Sequence, residues 1–574
     1  MDANAFRQEL RNRLDRNRDR ILLRIGLPTK REPVELTGGA ILERAEALAG
    51  QYAAAERGQV VLLLLPHSVE LFLLHLGLVL KGQVPAILPW PTTRVDPAKY
   101  QRNLLHQLRE LPASQLVTLP QVAANFGPRL PYATTPCPIE AYEQHEATFR
   151  VPADLGTPRT DSQAGPSDPL EDALFLQFSG GTTGSQKSIV VTASMLASQL
   201  ARLRDALDFS SDDGVVSWLP MYHDMGLIAC LWFPLWHGAP SFQFSATEWL
   251  LNPERLFAHI DQYRATFAWL PNFAFSYLAE QRPRMSGSYS LGHVRAWINC
   301  SEPVRLRSMV SFADVYQTWG VTRSSLQASY AMAENVFAVT QTSGTDLQLF
   351  GRPDVRAGGN ANEPLPFALV EDVYVSSGHP IPGAEIRISH SSGRLCADRE
   401  PGGIQIRSES LFKGYWGSKG VTAASFRDGE WYDTGDYGFL AGNELYVIGR
   451  TKDIVIIGGQ NVFPEDIETV VGSVSGIYPG RVVAFGVSDE AYGTEALAVV
   501  AEMRGPYRAD LAKTLEREIH RSVIAAIGVA PRYVFVSPER WIVKSTAGKL
   551  SRTDTRQRFL ESREHAAPAD LTTP

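Results

Sequence analysis

The sequence predicts an α/β chain: a large N-terminal domain of two parallel-type sheets with helices plus a β-rich subdomain, and a small α+β C-terminal domain. Three observations carry this. The 574 residues are roughly four times a typical single-domain length of about 150, so one core will not suffice. Short all-apolar runs alternate with stretches of helical length toward both ends, the pattern of strands buried on both faces in a parallel sheet. Between them, over residues 383–446, apolar and polar residues alternate with the two-residue period of half-buried antiparallel strands.

The elements follow in order. The first twenty residues are rich in Arg and Asp and lack the apolar stretch of a secretory signal, so they read as an exposed, charged helix. Residues 60–65 and 84–88 read as strands flanking a helix over 69–80. Pro66, His67, Ser68, Glu70, Lys81 and Pro85 interrupt this apolar region, which a lone membrane span would hardly tolerate. Residues 152–169, rich in Pro, Gly, Ser, Thr and Asp, read as a loop joining the two sheets. A strand over 174–178 then leads into a cluster of Gly, Ser and Thr. A second loose region, 342–366, carries Gly344, Gly351, Gly358, Gly359, Asn360 and Asn362 and precedes a strand over 373–376. Antiparallel strands are expected at 384–388 and 403–407. Beyond Gly449 the pattern is mixed again, with strands at 454–457, 481–487 and 496–501 and a helix over 510–527. The boundary falls near Arg450, giving domains 1–449 and 450–574.

Composition excludes several classes. Hydrophobic residues at 44% and charged residues at 20% are those of a globular chain, neither disordered nor fibrous. With 55 basic and 62 acidic residues the net charge is -7, and no basic block is present to hold a nucleic acid. Cys137, Cys230, Cys300 and Cys396 form no CxxC pair, which suggests neither zinc nor a disulfide framework and fits a reducing cytosol.

The strongest local signal is Ser179-Gly180-Gly181-Thr182-Thr183-Gly184-Ser185-Gln186-Lys187. Glycines let backbone N–H groups turn toward an anion, hydroxyls add donors and the lysine adds charge, which suits a polyphosphate. It is not the GxxxxGK[ST] loop, because Gln186 precedes Lys187. The plain alternative is a flexible linker.

This segment resembles the P-loop of the adenylate-forming superfamily, which includes acyl-CoA synthetases, nonribosomal adenylation domains and luciferase. The resemblance implies that Ser179, Gly180, Gly181, Thr182, Thr183 and Gly184 hold ATP phosphates with Lys187. Gln186-Lys187-Ser188 departs from the usual Pro-Lys-Gly. Further motifs follow in the superfamily's order. Trp218 to Gly226 resembles the segment whose histidine, here His223, lies beside the substrate carboxylate. Asn299-Cys300-Ser301-Glu302-Pro303 resembles the strand end flanking adenine, with Cys300 and Ser301 as departures, and implies Ser301, Glu302 and Pro303 as binding residues. Ser329-Tyr330-Ala331-Met332-Ala333-Glu334 resembles the Tyr-Gly-x-x-Glu motif, with Ala331 in place of glycine. By resemblance Ser329, Tyr330, Ala331 and Met332 would face the adenine, and Glu334 would hold Mg2+. In Trp431-Tyr432-Asp433-Thr434-Gly435-Asp436 the last carboxylate would bind the ribose, since two acceptor oxygens suit a vicinal diol. Arg450 would reach the ribose too, Lys452 would be the hinge of a mobile C-terminal domain, and Lys549, in a turn closing the chain, would be the adenylation lysine.

The resemblance implies ATP-dependent activation of a carboxylic acid to acyl-AMP with release of pyrophosphate, then transfer to a thiol. The subset resembled most is the fatty acyl-AMP ligases, on Tyr222-His223-Asp224-Met225-Gly226-Leu227, Pro271-Asn272-Phe273-Ala274-Phe275 and the loose segment before Ser376. That subset delivers the acyl group to the phosphopantetheine arm of a carrier protein, which here is expected to be a separate chain. An acyl-CoA ligase and a non-catalytic nucleotide-binding homologue are the alternatives. Asn272, Phe273, Trp232 and Trp269 are candidates to line the acid pocket, where bulky indoles favour a shorter or aryl acid. The tryptophans would equally serve as core packing.

Overall fold

The computed structural model describes residues 1–52, 58–91, 97–111, 113–126, 133–136, 172–179, 187–343, 347–351, 373–457, 460–489, 494–544 and 550–565. Cys137, the expected loop at 152–169 and the Gly- and Asn-rich stretch at 358–362 lie outside the described residues.

Two sheets carry the large region. In the first, Ala133–Pro136, Ala113–Thr118, Val60–Leu64, Val84–Ile87 and Ala173–Phe178 run parallel, and Ser188–Thr192 closes the edge antiparallel. The helix Val69–Lys81 is the crossover expected between Val60–Leu64 and Val84–Ile87; Ser68 caps it and left-handed Gly82 ends it. The second sheet has nine strands, of which Leu326–Ala331, Ala296–Cys300, Phe267–Leu270, Val215–Ser217, Ser241–Gln243 and Ile21–Ile25 are parallel. Both sheets contribute to one apolar core, in which Leu63, Phe175, Trp232 and Trp297 are each fully or almost fully buried. A twisted antiparallel sheet follows, built from Ala384–Ser389, Gly402–Ser408, Phe426–Arg427, Trp431–Ala441 and Glu444–Arg450. The C-terminal residues form a further sheet of Ile477–Asp489, Thr494–Met503 and Tyr533–Ser537 with the helix Ala509–Ile527 against it. Their core, with Ile467, Val499, Ile519 and Val536, is made only of residues beyond 454.

Two expectations are corrected. The N-terminal helix Ala3–Arg16 is amphipathic rather than simply exposed: Phe6, Leu10 and Leu14 are buried. Its Arg7 reaches inward to donate to the carbonyls of Val79 and Ala173, at 2.9 and 3.2 Å, and Phe6 stacks on Trp236 at 4.5 Å. The second loose region contains a strand, Leu349–Gly351, paired antiparallel with Val373–Val375. Phe350 and Tyr374 on those strands pack onto Phe439, which gives this short ribbon an apolar anchor that its glycines concealed.

Trp232 belongs to the core. Its ring stacks with Phe175 at 5.9 Å, its indole N–H donates to His75 Nε2 at 3.0 Å, and none of it is exposed. Trp269 is 1% exposed and lies between Phe267 and Phe233. Trp232→Ala is therefore expected to cost about 3–5 kcal/mol of stability, read as a lowered urea midpoint. A residue that merely lined an acid pocket would instead change acid preference at constant stability.

Candidate active site

The phosphate-loop candidate begins where Ala173–Phe178 ends and finishes where Ser188–Thr192 starts, so its two ends are adjacent strands. Ser179 N–H donates to the Lys187 carbonyl at 2.9 Å, and Lys187 N–H donates to Ser179 Oγ at 3.2 Å, closing the neck. Gly180, Gly181, Thr182, Thr183 and Gly184 lie outside the described residues, as does Lys549. Two residues before Ser179, buried Gln177 donates to the carbonyls of Ala333 and Val336, at 3.0 and 3.1 Å. The neck is thereby tied to the turn that carries Glu334.

That turn is strained. Val336 has φ of 61° and ψ of -50°, and Phe337 N–H reaches back to the Asn335 carbonyl at 2.6 Å, forming a rare γ-turn at a β-branched residue. Burial of Val336 and the two Gln177 bonds hold it there, and the consequence is that Glu334 projects inward. Its Oε1 accepts from the Tyr415 hydroxyl at 2.8 Å. Burial pushes the Glu334 carboxyl up, while the Tyr415 hydrogen bond and Arg450 draw it down.

The nucleotide-side residues meet at the end of Leu326–Ala331. Tyr330 donates to Asp436 Oδ2 at 2.5 Å, and Arg450 Nε lies 3.2 Å from Asp436 Oδ1. Asp436 reaches this place through a bulge. Gly403 pairs with Tyr437 and Gln405 with Asp433, so one residue faces three, and Thr434 to Asp436 are thrown out of the ladder. Gly435 supplies the left-handed φ of 72° that this bend needs, and Thr434 Oγ1 accepts the Asp436 N–H at 3.1 Å. Burial, then Asp436, raises the Tyr330 phenol well above its ordinary range, so it acts as a donor. Lys452, two residues beyond Arg450, is lowered by burial and then by Arg450, with Asp436 and Lys187 also within electrostatic reach. Ser329 is buried and donates to the Thr340 carbonyl at 2.8 Å, Ala331 pairs with Ala338, and Met332 N–H donates to the Phe337 carbonyl at 2.9 Å.

His223 stands at the start of an eight-residue π-helix, Met225–Trp232. Gly226 makes that start possible, because a Cβ there would lie 2.3 Å from the Pro220 carbonyl oxygen. The wider winding leaves the Cys230 carbonyl to accept from Ser241 and Gln243, each at 2.6 Å. His223 Nδ1 lies 2.6 Å from Asp224 Oδ1, and the Met225 N–H donates to both, at 3.3 and 2.8 Å.

Other candidates have scaffold partners. Glu302 Oε2 accepts from Phe273 N–H at 2.9 Å, supplying the N-terminal cap that Pro271 cannot give the helix Asn272–Gln281. Asn272 Oδ1 accepts from Asn299 Nδ2 and Arg305 N–H, at 2.9 and 3.0 Å. These bonds hold the loop through Pro303, in which Ser301 takes a left-handed φ of 69°. Phe273 packs edge-on to the stacked pair Trp218 and Trp249.

The fold thus brings Lys187, Glu334, Tyr330, Asp436, Arg450 and Lys452 into one neighbourhood, and leaves Trp232 in the core. Sequence reasoning missed Tyr415, Tyr432, Gln177 and Thr434. Only Gly414-Tyr415-Trp416 carried any signal, a glycine beside two aromatics in an otherwise polar stretch.

A catalytic-scale gathering of polar groups where parallel strands end, beside a glycine-rich loop, is the arrangement of a nucleotide-dependent enzyme. A family model for AMP-binding enzymes matches residues 10–416, and the chain belongs to that family, the adenylate-forming ligases. Its relatives within the family are fatty acyl-AMP ligases and related ligases. A putative ligase of Mycobacterium tuberculosis, Rv1013, is 29% identical, with 91% of this chain and 94% of the relative covered. The medium-chain-fatty-acid acyl-carrier-protein ligase JamA of Moorena producens is 28% identical, with 90% and 89% covered. Among solved structures, fatty acyl-adenylate ligases from E. coli and L. pneumophila give a TM-score of 0.79 at 22% identity, with 97% and 98% covered. The adenylation and carrier structure of McyG complexed with phenylalanyl-adenylate gives 0.80 at 21%, with 97% and 84% covered. At those identities the structures share the fold. Among the described residues no helix is long and apolar enough to cross a membrane.

Proposed function

We propose that this chain activates a carboxylic acid, most simply a fatty acid, to its acyl adenylate and passes the acyl group to the phosphopantetheine thiol of a carrier protein in the cytosol. The observation that carries the reading is the chain of contacts Tyr330–Asp436–Arg450 beside Lys187 and Glu334. Asp436 offers carboxylate oxygen to the ribose diol, Tyr330 lies against the base, and Lys187 with the glycine-rich loop takes the polyphosphate. His223 Nε2 faces the acid. The acid's carboxylate attacks the α-phosphorus, one P–O bond forms as another breaks, and pyrophosphate departs. Lys549, brought in by the C-terminal domain 450–574, bridges carboxylate and α-phosphate as charge accumulates. Rotation about Lys452 then exchanges that loop for the thiol's entry path.

Mg2+ fits Glu334. A magnesium nucleotide site takes one or two carboxylates and fills its remaining positions with phosphate oxygens and water, and Glu334 is a single carboxylate beside the phosphate lysine. Bound there, the ion would neutralise charge on the polyphosphate.

Carrier transfer is supported by JamA, which is named for an acyl-carrier-protein acceptor. The test is purified protein with ATP, Mg2+ and acids of varied length. Pyrophosphate and acyl adenylate should form without coenzyme A, AMP should be released on adding a holo-carrier, and coenzyme A should give no thioester. Thioester formation with coenzyme A alone would make it an acyl-CoA ligase; nucleotide binding without any adenylate would make it a non-catalytic homologue. Asp436→Ala should raise the KM for ATP at least about tenfold, since a hydrogen bond to a charged group is worth about 1.5–3 kcal/mol.

A further inference from the structure

One side chain links the two ends of the polyphosphate machinery without belonging to either. Residues 412–416 form a strap across the site. At one end Phe412 N–H donates to the Glu334 carbonyl at 2.7 Å. At the other, Tyr415 makes an antiparallel bridge with Ile189, and Trp416 N–H donates to the Ser188 carbonyl at 2.9 Å. The strap is therefore fastened both to the glutamate turn and to the strand that leaves the phosphate loop.

Tyr415 uses its two chemical faces on two different partners. The Lys187 ammonium lies 4.4 Å from the centre of its ring, within the range in which the negative face of an aromatic attracts a cation. Its hydroxyl donates to Glu334 Oε1 at 2.8 Å and lies 2.9 Å from the Tyr432 hydroxyl, which donates in turn. The ring is held edge-on to Phe412 at 4.8 Å, the backbone N–H donates to Thr422 Oγ1 at 2.9 Å, and the residue is 7% exposed. It cannot swing away.

We infer that Tyr415 is a positioning residue for adenylation: its ring seats the Lys187 ammonium and its hydroxyl aims the Glu334 carboxylate, so a single rigid side chain sets the spacing between the cation and the anion that face the polyphosphate. The inference rests on the reading of Lys187 as the phosphate group and Glu334 as the metal group. An ammonium seated on a ring keeps its charge exposed on the far side, whereas a carboxylate partner would neutralise it. Equally, a neutral phenol donor orients Glu334 without cancelling the charge a cation needs. A lysine–glutamate ion pair, the alternative contact for two such neighbours, would remove both charges from use.

The test separates ring from hydroxyl. Pyrophosphate release by the full chain is followed at varied free Mg2+ and, separately, at varied ATP. Tyr415→Phe keeps the ring and should raise the Mg2+ concentration for half-maximal rate at least about tenfold, the scale of one hydrogen bond to a charged group. Its KM for ATP at saturating Mg2+ should stay within about twofold. Tyr415→Leu should raise both. In a Glu334→Gln background Tyr415→Phe should add no further shift in Mg2+ dependence, because the hydroxyl then has no charged partner to aim. A Tyr415→Phe enzyme with wild-type Mg2+ dependence, or one whose kcat alone falls, overturns the inference, as does an additive shift in the double variant. If Tyr415→Leu fails to fold, Tyr415→Phe decides alone. Glu334→Gln and Lys187→Ala are the controls for the underlying reading. If they leave Mg2+ dependence and ATP KM unchanged, that reading fails; if they shift them and Tyr415→Phe does not, only the positioning role fails.

Discussion

Lys549→Ala is expected to lower acyl-adenylate formation by about a hundred- to a thousandfold, the usual effect of deleting one preorganised charge that faces a developing anion. Transfer to a holo-carrier from acyl adenylate supplied ready-made should stay close to the wild-type rate, since no carboxylate adds to the α-phosphate in that half-reaction. Single-turnover assays of each half-reaction measure the two effects. On either side of residues 545–549, Lys544 and Leu550 form a backbone bridge, and Ser551 N–H donates to the Val543 carbonyl at 2.8 Å. Equal losses in both half-reactions would mean that Lys549 supports the fold rather than adenylation.

Arg552→Leu should be the most destabilising change near Lys452, by about 3–5 kcal/mol at pH 8. Arg552 faces three carboxylates at once: Asp453, Glu465 at 3.1 Å and Glu468 at 2.9 Å, and it also donates to the Ala484 carbonyl at 2.9 Å. Leucine would leave those carboxylates gathered and uncompensated. Burial pushes the Glu468 carboxyl up to about 7, against the downward pull of Arg552 and with an upward push from Glu465. The sign follows from this. A carboxyl whose folded-state pKa is raised binds its proton more tightly folded than unfolded, so its contribution to stability is greatest at low pH and declines as pH rises from about 4.5 to 7. Without the guanidinium the raised Glu468 carboxyl stays protonated to higher pH, so the deficit of Arg552→Leu should be largest at pH 8 and shrink toward pH 5. Urea titrations at the two pH values read it directly. A deficit independent of pH would assign the loss to packing instead. Because Asp453 adjoins Lys452 and Arg305 donates to the Glu465 carbonyl at 3.1 Å, the same cluster fastens the residues around Lys452 to the large region.

Much of the scaffold was legible. The runs at 60–65, 174–178 and 496–501 are recognisable as buried strands because they are apolar throughout except for Gln177, and the structure has Val60–Leu64, Ala173–Phe178 and Thr494–Met503. The helix expected at 510–527 is Ala509–Ile527, ended by left-handed Gly528. Less legible were segments whose order comes from distant partners. The charges of the N-terminal helix outnumber its apolar residues, yet three of those residues at helical spacing sufficed to dock it. The strand Leu349–Gly351 takes its anchor from Phe439, far along the chain. The winding of Met225–Trp232 into a π-helix has no local signature, because it answers to Ser241 and Gln243 on a neighbouring strand.

Local sequence encodes the identity and order of the groups that carry charge and hydrogen bonds: a glycine-rich segment ending in Lys187, then His223, Glu334, Asp436, Arg450 and Lys549. Order along a chain encodes chemistry, since each motif needs its own residue types side by side. How the described groups are aimed is set by packing between distant segments. The bulge that turns Asp436 inward, the γ-turn that carries Glu334 and the ring of Tyr415 beneath Lys187 are contacts across about 80 to 230 positions of sequence. Such contacts leave no local period or composition to read, because their energy is released only when the sheets have already brought the partners together.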